Sequence, residues 1–222
     1  MTTDNLQNNQ YFFCGLIILS FIITRIPFVG KFFRVANTLI HESGHAFMAL
    51  LTNGSIESVE LFSNTEGAAV TKSKNKFGQF FVSIAGYPLS SASAFGLFYL
   101  IKEQQYNALL FCLASVTLIN IVVWIRNWYG TLWLLTFAVI LVAVYFTKNL
   151  FVTHCFSVIL SGIILTDSFY STLELLYLSI HKSKNAGDAT NLKKQTHIPA
   201  FFWALFFVAQ SVFFIYETIM LE

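Results

Sequence analysis

Apolar residues run along this chain in long blocks separated by short polar breaks. Six blocks approach the 20 or so mainly apolar residues that a spanning helix needs: 11–29, 78–101, 106–125, 131–147, roughly 150–180 and 198–220. A seventh, 35–52, is apolar but short, and His41, Glu42, Ser43 and His45 interrupt it. In "GSIESVELFSNTEGAAVTKSKNK", Ile56, Val59 and Leu61 alternate loosely with polar residues, and Asn64 to Gly67 carry turn chemistry before "AAVTK". That pattern predicts a β-hairpin. "HKSKNAGDATNLKKQTH" reads as a polar loop before Pro199, which suits the first turn of a helix. No repeat and no second domain is visible. The expected fold is therefore an all-α polytopic membrane bundle of about six full crossings. A membrane-dipping helix at 35–52 and a hairpin complete one membrane-embedded domain over 1–222.

Composition agrees. Of 222 residues, 56% are hydrophobic and 11% charged, against about 25% charged in soluble domains. This makes the lipid bilayer the expected partner, whereas the net charge of +2 says little about partners and no basic run suggests nucleic acid. Cys14, Cys112 and Cys155 are odd in number and lie in apolar stretches, which fits plain membrane thiols better than a redox or metal set. The segment "MTTDNLQNNQ" lacks the basic region of a signal peptide, so the next apolar block is read as the first crossing.

The basic residues choose between two topologies. If 35–52 crosses fully, the Lys and Arg residues divide almost evenly between the two faces. If it enters and returns, eleven of the 13 share one face and only Lys102 and Lys148 lie opposite. Basic residues favour the cytoplasmic side. The second topology is expected, with both termini outside and the 35–52 segment entering from the cytoplasm.

Inside that segment, "HESGH" places His41 and His45 four residues apart, on one helix face. This is H-E-x-x-H, in which two histidines hold zinc and the glutamate is the general base. Three ionisable groups within five intramembrane residues mark a functional site by default. Small Ser43 and Gly44 allow close approach of backbone. "AGYPLSS", residues 85–91, sets small residues and a proline in a crossing. Small residues let helices pack closely, and Pro88 is expected to kink this one. The hairpin edge is a second candidate surface, since it can take an extended peptide by strand addition.

"HESGHAFMALLTNGSIESVELFSNTEGAAV" followed by "FVSIAGYPLSSASAFG" resembles the site-2 protease family of intramembrane zinc metallopeptidases. It resembles most its small bacterial and plant branch, with the plan HExxH, hairpin, A-G-Y-x-G/P. That branch typically continues with Y-S-x-x-D, S-D-A and P-x-x-x-W. The counterparts here are Tyr170, Ser171 and Glu174, then Gly187, Asp188 and Ala189, then Pro199 and Trp203. The likeness runs from Ala36 to Trp203. It implies a membrane helix bundle, a zinc reached from the cytoplasmic side, a substrate cleft lined by the "AGYP" helix with Gly86 and Pro88 as its candidates, and a multi-pass location in the bacterial inner (plasma) membrane.

A catalytic zinc takes three protein ligands and a water. The resembled family usually draws the third from an L-D-G motif after N-x-x-P. Here "INIVVWIRNWYGTLW" stands there, with Asn120 and Asn127 but no aspartate. Asp4, Glu217 and Glu222 are terminal, Glu57, Glu60 and Glu66 belong to the hairpin, and Glu103 lies on the wrong side. Asp167, Glu174 and Asp188 remain. Asp167 and Glu174, seven apart, share a helix face, and depth allows either. The resemblance favours position 174, where the branch usually has Asp. Burial favours Asp167. They stand as equal candidates, with Asp188 behind them. His154, His181 and His197 lack metal-pair spacing.

The expected function is an intramembrane zinc metallopeptidase acting on a membrane-protein substrate, with Glu42 as base. The alternative is a non-proteolytic binding or chaperone-like protein of the same fold, which the absent L-D-G motif favours.

Overall fold

The computed structural model describes residues 10–221. Asp4, Glu222 and the reading of the first residues as a non-signal segment lie outside them. The elements are α1 (Gln10–Arg25), α2 (Val29–Leu51), β1 (Ser55–Leu61), β2 (Gly67–Lys72), α3 (Lys76–Lys102), α4 (Tyr106–Ile119), α5 (Trp128–Phe146), α6 (Leu150–His181), α7 (Gly187–Thr196) and α8 (Ala200–Ile219). The helices α3, α5, α6 and α8, and α4 with the π-turn Asn120–Trp124 that extends it, are long and apolar enough to cross a membrane. Their outward faces carry large apolar side chains such as Phe111, Leu132, Val139 and Phe202. The chain is an integral membrane helix bundle with a small hairpin, as its pattern of apolar blocks predicts.

The first apolar block breaks where Pro27 cannot continue a helix. Phe28 takes a positive φ of 64°, and α2 leaves α1 at 101°. Gly30 makes this fold-back possible, because a Cβ there would lie 2.8 Å from the Thr24 carbonyl oxygen. Phe13 of α1 packs on Phe98 near the end of α3, whereas Thr52, just past α2, adjoins Gly78 at the start of α3. The bent pair thus runs once from one end of α3 to the other. The two helices are long and apolar enough to cross a membrane only as a pair, so the expectation of a full crossing at 11–29 followed by a separate dip at 35–52 is replaced by one bent unit.

The hairpin is antiparallel, with Val59 opposite Ala69 and Leu61 opposite Gly67. Its turn is tied to α2 by Thr38 Oγ1 donating to the Thr65 carbonyl at 2.8 Å. The outer edge of β1 is occupied. Val59 forms a parallel bridge with Ile125, and the Asn127 amide donates to the Leu61 carbonyl at 2.6 Å and accepts from the Leu61 N–H at 3.2 Å. Asn75 caps α3 by accepting from the Gly78 N–H at 2.7 Å, and α3 continues unbroken through Pro88.

The segment expected to be a loop before Pro199 contains α7. Ala186, Ala189 and Leu192 are fully buried and recur every third residue, the spacing of one helix face. They pack with Leu175 of α6 and Phe207 of α8 in a core of their own, separate from the larger one holding Leu39, Ile40 and Val158. Thr190 ties down the entry, accepting from the Ala186 N–H at 3.0 Å and donating to the Ser183 carbonyl at 2.8 Å. His197 ends the helix in a left-handed conformation.

Candidate metal centre

One turn of α2 carries His41 and His45, and their Nε2 atoms face each other 3.0 Å apart. The Nδ1 of His45 lies 2.7 Å from the Val82 carbonyl. With its proton donated there, the His45 Nε2 carries a lone pair, the arrangement usual for a metal-binding imidazole. Beneath the rings runs α3, and its closest point is Gly86. A Cβ there would stand 2.6 Å from both His41 Cε1 and His45 Nε2, so only glycine lets α3 approach this closely.

Asp188, in the first turn of α7, completes the group. Its Oδ2 is 3.2 Å from His45 Nε2 and 3.4 Å from His41 Nε2. Burial alone would push this carboxyl up, but the positive charge of the two imidazoles when protonated outweighs it and holds it well below the usual carboxylate range. His41, His45 and Asp188 form the one group of three or more potential ligands found among the described residues. Glu42, buried, opens on the same cleft of about 820 Å³.

The two leading candidates for the third position lie elsewhere. Asp167 is ion-paired with Arg34 and accepts a 3.0 Å hydrogen bond from the Asn37 amide, while Ser90 donates to the other side of Asn37. Its carboxylate is spent on tying α6 to the start of α2. Glu174 lines the cleft and an adjoining cavity of about 530 Å³ without joining the histidines. The expectation that placed Asp188 behind these two is reversed by geometry. The fold of α7 brings a residue 143 positions beyond His45 against it, as the separation of the two residue numbers implies.

Neither Gly86 nor Pro88 lines the cleft. Gly86 is buried beneath the imidazoles, and α3 contributes Gln79, Val82, Ser83, Tyr87 and Ser90 instead. The segment that lacks an aspartate has a different task. The Asn120 amide donates to Ser43 Oγ at 2.8 Å, and Asn127 holds β1, so this stretch clamps the H-E-x-x-H helix and the hairpin together. His154 is buried in the other half of α6 against the Tyr106 hydroxyl at 3.0 Å, far in sequence from the centre. Sequence reasoning missed Tyr87, whose ring meets His41 edge-on with centroids 4.5 Å apart.

Zinc fits this donor set. Bonds of about 2.0–2.1 Å at tetrahedral angles imply ligand atoms roughly 3.3 Å apart, and the three separations are 3.0, 3.2 and 3.4 Å. Two imidazole nitrogens and a carboxylate oxygen converging this closely could hold a metal ion.

Comparison with curated proteins and with solved structures gives no match. A family model described as Peptidase M50B-like matches residues 14–218, nearly the whole chain. Peptidases of this kind are generally zinc-dependent, and the chain belongs to the Peptidase M50B-like family, with the membrane metallopeptidase fold of the site-2 proteases.

Proposed function

We propose that the chain is an intramembrane zinc metalloendopeptidase that hydrolyses a peptide bond in or near a transmembrane segment of another membrane protein. The observation that carries this reading is the convergence of His41, His45 and Asp188 at zinc-ligand separations, with Glu42 in the same cleft. A zinc held by His41, His45 and Asp188 would supply a Lewis acid able to lower the pKa of water to about 7.

The remaining chemistry belongs to the protein. Glu42 takes the proton of the attacking water as the new C–O bond forms, then passes it to the amine as the C–N bond breaks. The Val82 carbonyl and Gly86 fix the imidazoles. A substrate strand has one place to add to the hairpin. The Ile125–Asn127 segment covers the outer edge of β1, and β2 residues Gly67–Thr71 line the cleft. An extended strand suits hydrolysis, because main-chain pairing exposes a peptide bond that a helix shields.

The site is assigned to the cytoplasmic face of the plasma membrane. Arg34 is spent on Asp167 and Arg25 packs on Tyr170, so neither serves as a topological charge. The loops and α7 beside the site still carry Lys72, Lys74, Lys76, Arg126, Lys182, Lys184, Lys193 and Lys194, against Lys102 and Lys148 at the far end. Cysteines at positions 74 and 184 should label from the same, cytoplasmic side.

The test of activity is cleavage of a tethered transmembrane reporter by the zinc-loaded chain and its loss in Glu42→Gln. Stoichiometric zinc with an intact reporter for every substrate tried would favour the non-proteolytic alternative.

A further inference from the structure

Tyr87 is the cleft residue that the metal chemistry leaves unused. Its ring is held from two sides, by His41 at 4.5 Å between centroids and by Phe207 of α8 at 4.8 Å. It follows Gly86, the residue pressed against both imidazoles, and it lines the same cleft as His41, Glu42, His45 and Asp188. A tyrosine hydroxyl in such a setting normally finds a partner. Tyr106 does so, on His154. The Tyr87 hydroxyl makes no hydrogen bond among the described residues, so its donor is free.

Peptide hydrolysis creates a demand for such a donor. When water adds to the scissile carbonyl, the C=O π pair moves onto oxygen, and that oxygen needs hydrogen bonds fixed in advance. The cleft contains no Lys or Arg. Of its side-chain donors, Asn37 is taken by Asp167 and Ser90 by Asn37; Gln79, Asn185 and Asn191 also line the cleft, and the clamp between two rings sets Tyr87 apart from them.

We propose that Tyr87 is a catalytic residue whose hydroxyl donates a hydrogen bond to the carbonyl oxygen of the scissile bond as that oxygen becomes an oxyanion. This rests on the metallopeptidase reading. The ring clamp is what makes the donor effective, since a hydroxyl already in place costs no reorganisation when charge develops.

The experiment compares the wild-type chain with Tyr87→Phe, which keeps the ring between His41 and Phe207 and removes only the hydroxyl. Zinc content should be unchanged and KM for a transmembrane reporter should move less than about threefold. The turnover number should fall about 10²- to 10³-fold, the loss typical of one oxyanion donor. A second arm does not depend on turnover. A phosphinic peptide, which mimics the tetrahedral carbon, should bind the zinc-loaded variant about 100-fold more weakly. Equal phosphinic affinity in wild type and variant overturns the Tyr87 role while the metallopeptidase reading stands. Loss of zinc in Tyr87→Phe also overturns it, because the tyrosine would then act through His41. A zinc-loaded wild type that neither cleaves nor binds the phosphinic peptide fails the metallopeptidase reading itself, and the role falls with it.

Discussion

The middle of α6 and the first turn of α7 each offer a shielded aspartate near the H-E-x-x-H helix, and they meet opposite fates. Asp167 faces the early part of α2, where Arg34 and Asn37 consume its carboxylate. Asp188 faces the next two turns, where two imidazoles wait. The first pair of elements is thereby fixed by a neutralised charge. The second brings a carboxylate oxygen and two imidazole nitrogens together in a cleft without Lys or Arg. In this bundle the carboxylate that owns a guanidinium ties two helices together, and the one that meets two imidazoles is the candidate metal ligand.

Four substitutions test this contrast, in descending order of effect. Asp188→Ala should abolish tight zinc binding and cleavage, a loss beyond the roughly 10- to 100-fold that follows from removing a supporting partner. Metal analysis of the purified variant checks it, and full zinc retention would break the comparison at its base. Asp167→Ala should do the reverse. It leaves Arg34 without its counter-charge and should destabilise the fold by about 3–5 kcal/mol, as for other broken buried pairs, yet the folded fraction should keep one zinc per chain. Denaturation curves and metal content on the same sample separate the two effects.

Gly86→Ala acts on the imidazoles directly. Its Cβ must displace rings 2.6 Å away, so zinc affinity should drop on the order of tenfold or more, within the range of losses from disturbed ligand orientation. A competition titration with a chelator reads this, and an unchanged affinity would mean that α3 yields easily. Glu174→Ala should matter least. The residue is exposed at the mouth of the cleft, where substitutions usually stay within about 0.5 kcal/mol, or about twofold in zinc affinity. A loss comparable with that of Asp188→Ala would return position 174 to the metal.

The legible part of the site was local. His41, Glu42 and His45 announce themselves because a helix converts a spacing of four into one face, with no help from the rest of the chain. The hairpin was equally readable, from alternation. The third ligand was not. Asp167 looked suitable because burial demands a purpose, but only packing could disclose that Arg34 already supplied one. A signal for α7 was present in Ala186, Ala189 and Leu192, whose regular spacing marks a buried stripe that a polar, lysine-rich setting obscured. Placing that stripe toward the core turns Asp188 into the cleft along with Asn191, and sends Gln195 to Ser83 at 3.1 Å.

By itself, then, the order of residues determined the five helices long and apolar enough to cross a membrane alone, and which helix bears the two histidines and the base. It also determined which face of the bundle carries the loops rich in lysine. These depend on interactions between near neighbours and on the expense of exposing polar groups to lipid. Only the tertiary structure decided that α7 folds back over the H-E-x-x-H helix, that Asp188 rather than Asp167 meets the imidazoles, and that Tyr87 stands beside them with a free hydroxyl. Those outcomes depend on contacts between residues distant in the chain, and their partners are chosen by packing that no local spacing encodes.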